Sequence, residues 1–209
     1  MKNKTLCILL ATAMYAVCYT NDSKGQQGRT TAGIHYNYSI PAGSFKSDVT
    51  DKGSAKGVFA DILYNVTDRL AVGGLVGYQD YYQKFPRMVY KTSDGSDISA
   101  VRINSVQTTP LMAKANYKFL DQGIVQPYVE AGAGVNFLSF RQYLGEFTNT
   151  SDATVKLTAL AGAGIFIPVN KNATGIRIGG TYQYVPYNKN GISNFNSYNI
   201  YAGVAFPIR

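Results

Sequence analysis

From Thr31 to the end of this 209-residue chain, apolar side chains return at every second position through eight successive segments. That period is the period of a β-strand, whose side chains point alternately to the two faces of a sheet. In one segment Val58, Ala60, Ile62, Tyr64 and Val66 share a face, while Gly57, Phe59, Asp61, Leu63 and Asn65 share the other. In another, Val155, Leu157, Ala159, Ala161, Ala163 and Ile165 oppose Lys156, Thr158, Gly162 and Gly164. The same parity holds around Ile34, Val72, Leu111, Val129, Ile176 and Ile200. In every segment one face is almost free of charge, and the other mixes single charges with Gly, Thr and Asn. Such a pattern predicts one all-β domain, and a content of 21 Gly and 17 Tyr suits strands and tight turns.

The connections carry a second regularity. Thr67-Asp68-Arg69, Asp121-Gln122-Gly123 and Asn170-Lys171-Asn172 are brief polar turns, whereas residues 41–54, 84–100, 144–153 and 186–196 read as longer loops. Short links at one end and long ones at the other describe a closed barrel that crosses a bilayer, with both termini at the short-turn end. A closed sheet is one of two ways in which a backbone satisfies its polar groups in lipid. Pro110, inside the fourth segment, has no N–H to give to a ladder and marks an expected bulge.

Lys2 and Lys4 precede an apolar run from Leu6 to Tyr19, the layout of a secretory signal peptide. Ser23-Lys24-Gly25 offers a cleavage site, which divides the chain into a leader over residues 1–25 and a barrel domain over 26–209. The formal charge of +8 falls to +6 in the mature part. Both cysteines, Cys7 and Cys18, lie in the leader, so thiol chemistry is not expected of the mature chain. Lipidation at Cys18 ranks behind plain cleavage, because Val17 fits poorly beside a lipoprotein cut.

Alternation alone does not say which face is inside. A soluble, secreted calycin-like barrel turns its apolar face to a ligand pocket, and a membrane barrel inverts that order. Tyrosines near strand ends (Tyr36, Tyr64, Tyr117, Tyr184, Tyr198) fit interfacial girdles, and the Gly- and Thr-rich face leaves room for side chains in a narrow tube. The reading is therefore an eight-stranded antiparallel up-and-down transmembrane β-barrel, apolar side out. Its lumen then receives Asp61, Glu130, Arg102, Lys114, Lys156, Arg177 and His35. Buried charges must be paired, so the two carboxylates are expected to be shared among the basic residues and to plug the tube.

Ser39-Ile40-Pro41-Ala42-Gly43-Ser44-Phe45, Val66-Thr67-Asp68-Arg69-Leu70-Ala71 and Pro127-Tyr128-Val129-Glu130-Ala131-Gly132-Ala133-Gly134 carry a resemblance. On these stretches the chain resembles the small outer-membrane barrel family, the OmpA-transmembrane and OmpX-like group. The likeness covers roughly residues 30–209. It implies an outer-membrane location, contact with outer-membrane lipid and lipopolysaccharide, and insertion by the barrel-assembly machinery; about activity it is nearly silent. Two departures stand out. The chain ends Phe206-Pro207-Ile208-Arg209 rather than on an aromatic residue, and a peptidoglycan-binding domain after the barrel is not expected.

Chemistry finds little support in the residues. The one histidine, His35, and Ser39 fall on the lumen face, whereas barrel-type lipid hydrolases of the outer membrane use the lipid-facing wall. Asp61 and Glu130 have basic partners at hand and read as ion-paired rather than acid–base groups. No His or Cys cluster suggests a metal, Asp94-Gly95-Ser96-Asp97 lacks the remaining ligands of a calcium loop, and no cofactor motif is present. Scattered Lys and Arg argue against nucleic acid; exposed Lys46, Lys52, Arg87 and Lys91 are better suited to lipopolysaccharide phosphates. The expected function is non-enzymatic: loops presented for surface interaction, toward a host surface or another extracellular ligand, or for membrane integrity. A narrow, anion-preferring channel is the second reading and a soluble ligand binder the third.

Overall fold

The computed structural model describes residues 28–91, 97–120, 122–145, 147–169, 174–189 and 191–208. The expected leader with Cys7 and Cys18, loop residues Asp94, Gly95 and Ser96, Asp121, the turn Asn170-Lys171-Asn172, and Arg209 lie outside the described residues. The strands are β1 (Thr30–Pro41), β2 (Ser54–Asn65), β3 (Leu70–Lys91), β4 (Asp97–Lys118), β5 (Gln126–Leu144), β6 (Phe147–Pro168), β7 (Gly175–Tyr184), β8 (Pro186–Lys189), β9 (Ile192–Asn194) and β10 (Ser197–Ile208). Eight of them close a barrel in the order β1-β10-β7-β6-β5-β4-β3-β2, and β8 pairs β9 as a separate small hairpin. The seam is antiparallel and continuous, from Thr30 opposite Ile208 to Pro41 opposite Ser197.

The inverted orientation holds on every barrel strand. Leu157 is 75% exposed and Ile62 56%, whereas Lys114 is 4% exposed and Asp61 2%. That is the arrangement of a barrel in lipid and the opposite of a soluble pocket barrel, which removes the third reading. The outward apolar band covers residues 58–66, along β2 and one residue past its end, 70–78 of β3, 111–119, along β4 and one residue past its end, and 129–137 of β5. Each stretch matches the roughly 9–11 residues that a tilted strand needs to cross a bilayer.

The barrel is uneven in height. β3, β4 and β6 have 22 residues and β5 has 19, but β1, β2 and β10 have 12 and β7 has 10. β2 pairs β3 only up to Lys56 opposite Asp80, and β7 pairs β6 only from Ala159 onward. Beyond those points β3–β6 rise as a four-stranded arm. Residues 84–91 and 97–100, expected as loop, belong to this arm, and the third loop shrinks to a turn at Gly145. The expected bulge is displaced as well. The β4–β5 ladder runs in register through Pro110 opposite Asn136, and the irregularity lies between Lys84 and Arg87, where Pro86 sits. Pro110 causes no shift because Gly77, across the β3–β4 pair, has no side chain to oppose its ring.

Candidate functional site

Inside the barrel, charge gathers in one compact group. Lys114 Nζ lies 2.9 Å from Asp61 Oδ2 and 2.6 Å from Glu130 Oε2, bridging the two carboxylates. Arg177 Nη1 donates to both oxygens of Asp61, at 2.9 and 3.1 Å. His35 Nε2 stands 3.6 Å from Asp61 Oδ2 and is wholly buried. The Tyr201 hydroxyl donates to Glu130 Oε1 at 2.5 Å and lies 2.6 Å from the Tyr128 hydroxyl. Two carboxylates thus meet one ammonium and one guanidinium, and the group balances its own charge.

Backbone register brings these side chains together, and glycine makes room for them. Gly33 is opposite Asp61 on β2, and a Cβ there would lie 2.5 Å from both Asp61 Oδ1 and His35 Nε2. Gly179 is opposite Tyr201 on β10, where a Cβ would lie 2.6 Å from the phenol oxygen. The small residues on the lumen face are therefore the imprint of large partners on neighbouring strands.

Of the seven residues expected in this network, Asp61, Glu130, Lys114, Arg177 and His35 converge, and two do not. Arg102 sits in the arm, its guanidinium 4.2 Å from the centroid of Phe85 and 5.6 Å from that of Tyr90. Lys156 lies 5.6 Å from the Tyr187 ring. Both are on the inward face, as parity requires, but too far along their strands to meet the carboxylates. Tyr128 and Tyr201 were not anticipated; large aromatic residues on a face otherwise rich in glycine were their signal. Among the polar residues of the inward face, Gln183 Nε2 donates to Thr158 Oγ1 at 3.3 Å, nearer the outer mouth.

A second buried cluster, apolar rather than charged, lies above the charges and was also not anticipated. The connection from β1 to β2 makes a single π-helical turn, Phe45–Val49, and folds inward with the β8–β9 hairpin. Phe45, Val49, Val185, Tyr187, Ile192 and Phe195 bury themselves against Tyr81, Val106, Leu138 and Phe140 of the arm. Phe45 meets Tyr81 and Phe195 edge-on at 4.8 and 4.9 Å, and Tyr187 meets Phe195 at 4.5 Å, the geometry that aromatic quadrupoles favour. Ser44 Oγ accepts from the Asn194 and Ser193 amides at 2.8 and 3.1 Å, and Asn104 Nδ2 donates to Val49 O at 2.6 Å. These bonds latch the lid to itself and to the wall. At its rim Tyr187 donates to Asp152 at 2.5 Å, and Lys189 lies 3.2 Å from the same carboxylate. The Tyr187 hydrogen bond, joined by Lys189, holds the Asp152 carboxyl below its ordinary range.

Between lid and charge group remains a cavity of about 40 Å³, reached by Tyr81 from above and by Lys114 and Glu130 from below. On the outside, Lys46 and Lys52 are exposed in the first loop, together with Asp48 and Asp51, and Arg87 is exposed on the arm. Lys91 ends β3, and its side chain lies outside the described residues.

Comparison with known proteins agrees with this architecture. The structure of Neisserial surface protein A superposes with a TM-score of 0.59 at 18% identity, over 86% of this chain and 97% of that one. The outer membrane protein OprG from Pseudomonas aeruginosa gives a TM-score of 0.52 at 10% identity, over 90% of this chain and all of the other. Among curated protein sequences, none matches the chain. The family model described as "Outer membrane protein beta-barrel domain" matches residues 5–206. The chain belongs to that family, as an integral β-barrel of the outer membrane.

Proposed function

We propose that this is a non-enzymatic outer-membrane protein whose filled barrel supports a rigid outward surface, the lid and the β3–β6 arm, for contact with lipopolysaccharide and with surfaces beyond the cell. The two buried layers inside the barrel, the charge group and the aromatic lid above it, support this reading. A cavity of about 40 Å³ between the lid and the charge group holds a few waters at most, since one water occupies roughly 10–15 Å³ of such space. Lys114 and Arg177 are matched by Asp61 and Glu130, so the centre offers no surplus positive charge to draw anions through. His35 is engaged by Asp61, and Ser39 Oγ lies 2.5 Å from the Tyr81 hydroxyl, which supports a structural role for both. Lys46, Lys52, Arg87 and Lys91, on the outer loops and arm, are the residues we assign to lipopolysaccharide phosphates. Planar-bilayer recording tests the filled lumen. The expected trace is flat; regular conductance steps from the folded protein would replace this reading with that of a narrow channel.

A further inference from the structure

The outer wall of β3–β6 carries an open groove of about 580 Å³ where the apolar band ends. Its floor is formed by Tyr78, Phe137 and Val155, the last two side by side on β5 and β6. One row outward, Gln107 stands opposite Ser139, with Ala153 beside it. One further row out, Arg141 stands between Ser105 and Ser151 on the flanking strands. These alternate positions face away from the lumen, and Arg141 is exposed. Among the described residues no acidic side chain forms an ion pair with Arg141. Asp80, which shares this wall opposite Gln107, is held by Lys56 at 3.6 Å.

From the membrane outward, then, the wall presents apolar rings, uncharged hydrogen-bonding groups, and a cation between two hydroxyls. The small side chains of Ser139 and Ala153 create the depression. A phosphorylated glycolipid of the outer leaflet has the same order: acyl chains, a sugar rich in hydroxyl and amide groups, and a phosphate. Guanidinium suits phosphate because its N–H groups fork onto two oxygens. A glycerophospholipid supplies the phosphate but has no sugar to engage the Ser105, Gln107, Ser139 and Ser151 rows. We infer that this groove seats the acyl-sugar-phosphate portion of an outer-leaflet glycolipid, with Arg141 on the phosphate and Phe137 and Val155 on the chains. The inference rests on the lipopolysaccharide contact proposed above and deepens it: the loop cations face phosphates farther out on the saccharide, and the barrel wall seats the lipid portion.

The test uses the protein refolded in phosphatidylcholine nanodiscs that contain equal small amounts of diphosphorylated lipid A and phosphatidylglycerol. After transfer to detergent, native mass spectrometry counts the retained lipid. Lipid A is expected to stay with the protein, and Arg141→Gln and Ala153→Phe each to reduce its retention about tenfold. Equal retention of both lipids would overturn the glycolipid assignment, retention unchanged in both variants would overturn the site, and no retention by the native chain would overturn both. A Lys46→Gln, Lys52→Gln, Arg87→Gln variant should still hold lipid A; loss there alone would return the binding to the loops. Heat-modifiable gel migration of every variant reports an intact barrel separately from lipid retention.

Discussion

Lys114 is the residue on which the interior most depends, because among the described residues it is the one cation that bridges Asp61 and Glu130. Removing it as Lys114→Ala leaves a negative charge unmatched in a confined space, and the expected loss is about 3–5 kcal/mol of stability. Replacing Asp61, Glu130, Lys114 and Arg177 together by Asn, Gln, Met and Met removes every charge at once and should cost far less. Urea unfolding in micelles, followed by gel mobility, compares the two. A second expectation concerns Asp152 at the lid rim. Its folded carboxyl titrates below the ordinary value near 4, so its contribution is complete at neutral pH and declines as pH falls through that lowered value. Proteolysis of the lid loops should accelerate below about pH 4 in the native chain, and Asp152→Asn should flatten that dependence. Parity showed which residues share a face, the tyrosines near strand ends and the Gly- and Thr-rich face showed which of the two faces turns inward, and Asp61, Glu130, Lys114, Arg177 and His35 meet there. Height along a strand was not legible. Alternation fixes the face of Arg102 and Lys156, whereas their level depends on strand stagger, which a single sequence does not encode.

At the scale of elements, the arm is where sequence and structure part. The eight barrel strands were legible because most of their apolar residues face lipid, with few exceptions such as Leu63, Leu75, Met112 and Leu160 turned inward. Above the membrane that logic reverses: Tyr81, Val106, Leu138 and Phe140 lie on the inward parity, and Gln107, Ser139 and Arg141 on the outward one. A pattern that changes sign midway through a strand resembles its loss, so residues 84–100 and 144–153 read as loops. Since β3–β4 pairing within the band is complete by Val76 opposite Leu111, the distal arm is not needed to close the barrel. Replacing residues 85–99 by a short Gly-Asn turn should leave heat-modifiable migration unchanged, whereas Gly33→Val, which forces a side chain into the charge group, should abolish it. The same experiment reports on the Arg102 stack over Phe85 and Tyr90, which would disappear with the arm.

For the whole molecule, a closed cylinder encloses two layers of opposite chemistry, one salt-bridged at the centre and one aromatic at the outer mouth. The layers rely on different physics: screening salt weakens exposed ion pairs but hardly those enclosed with Asp61, while the lid depends on apolar burial. The unequal strand lengths add an asymmetry that no property of the lumen would reveal. On the side of β3–β6 the rim is a parapet; on the side of β7, β10, β1 and β2 it is a low sill. Anything arriving from outside therefore has a front and a back to negotiate, and reaches the lid over the sill with the parapet behind it.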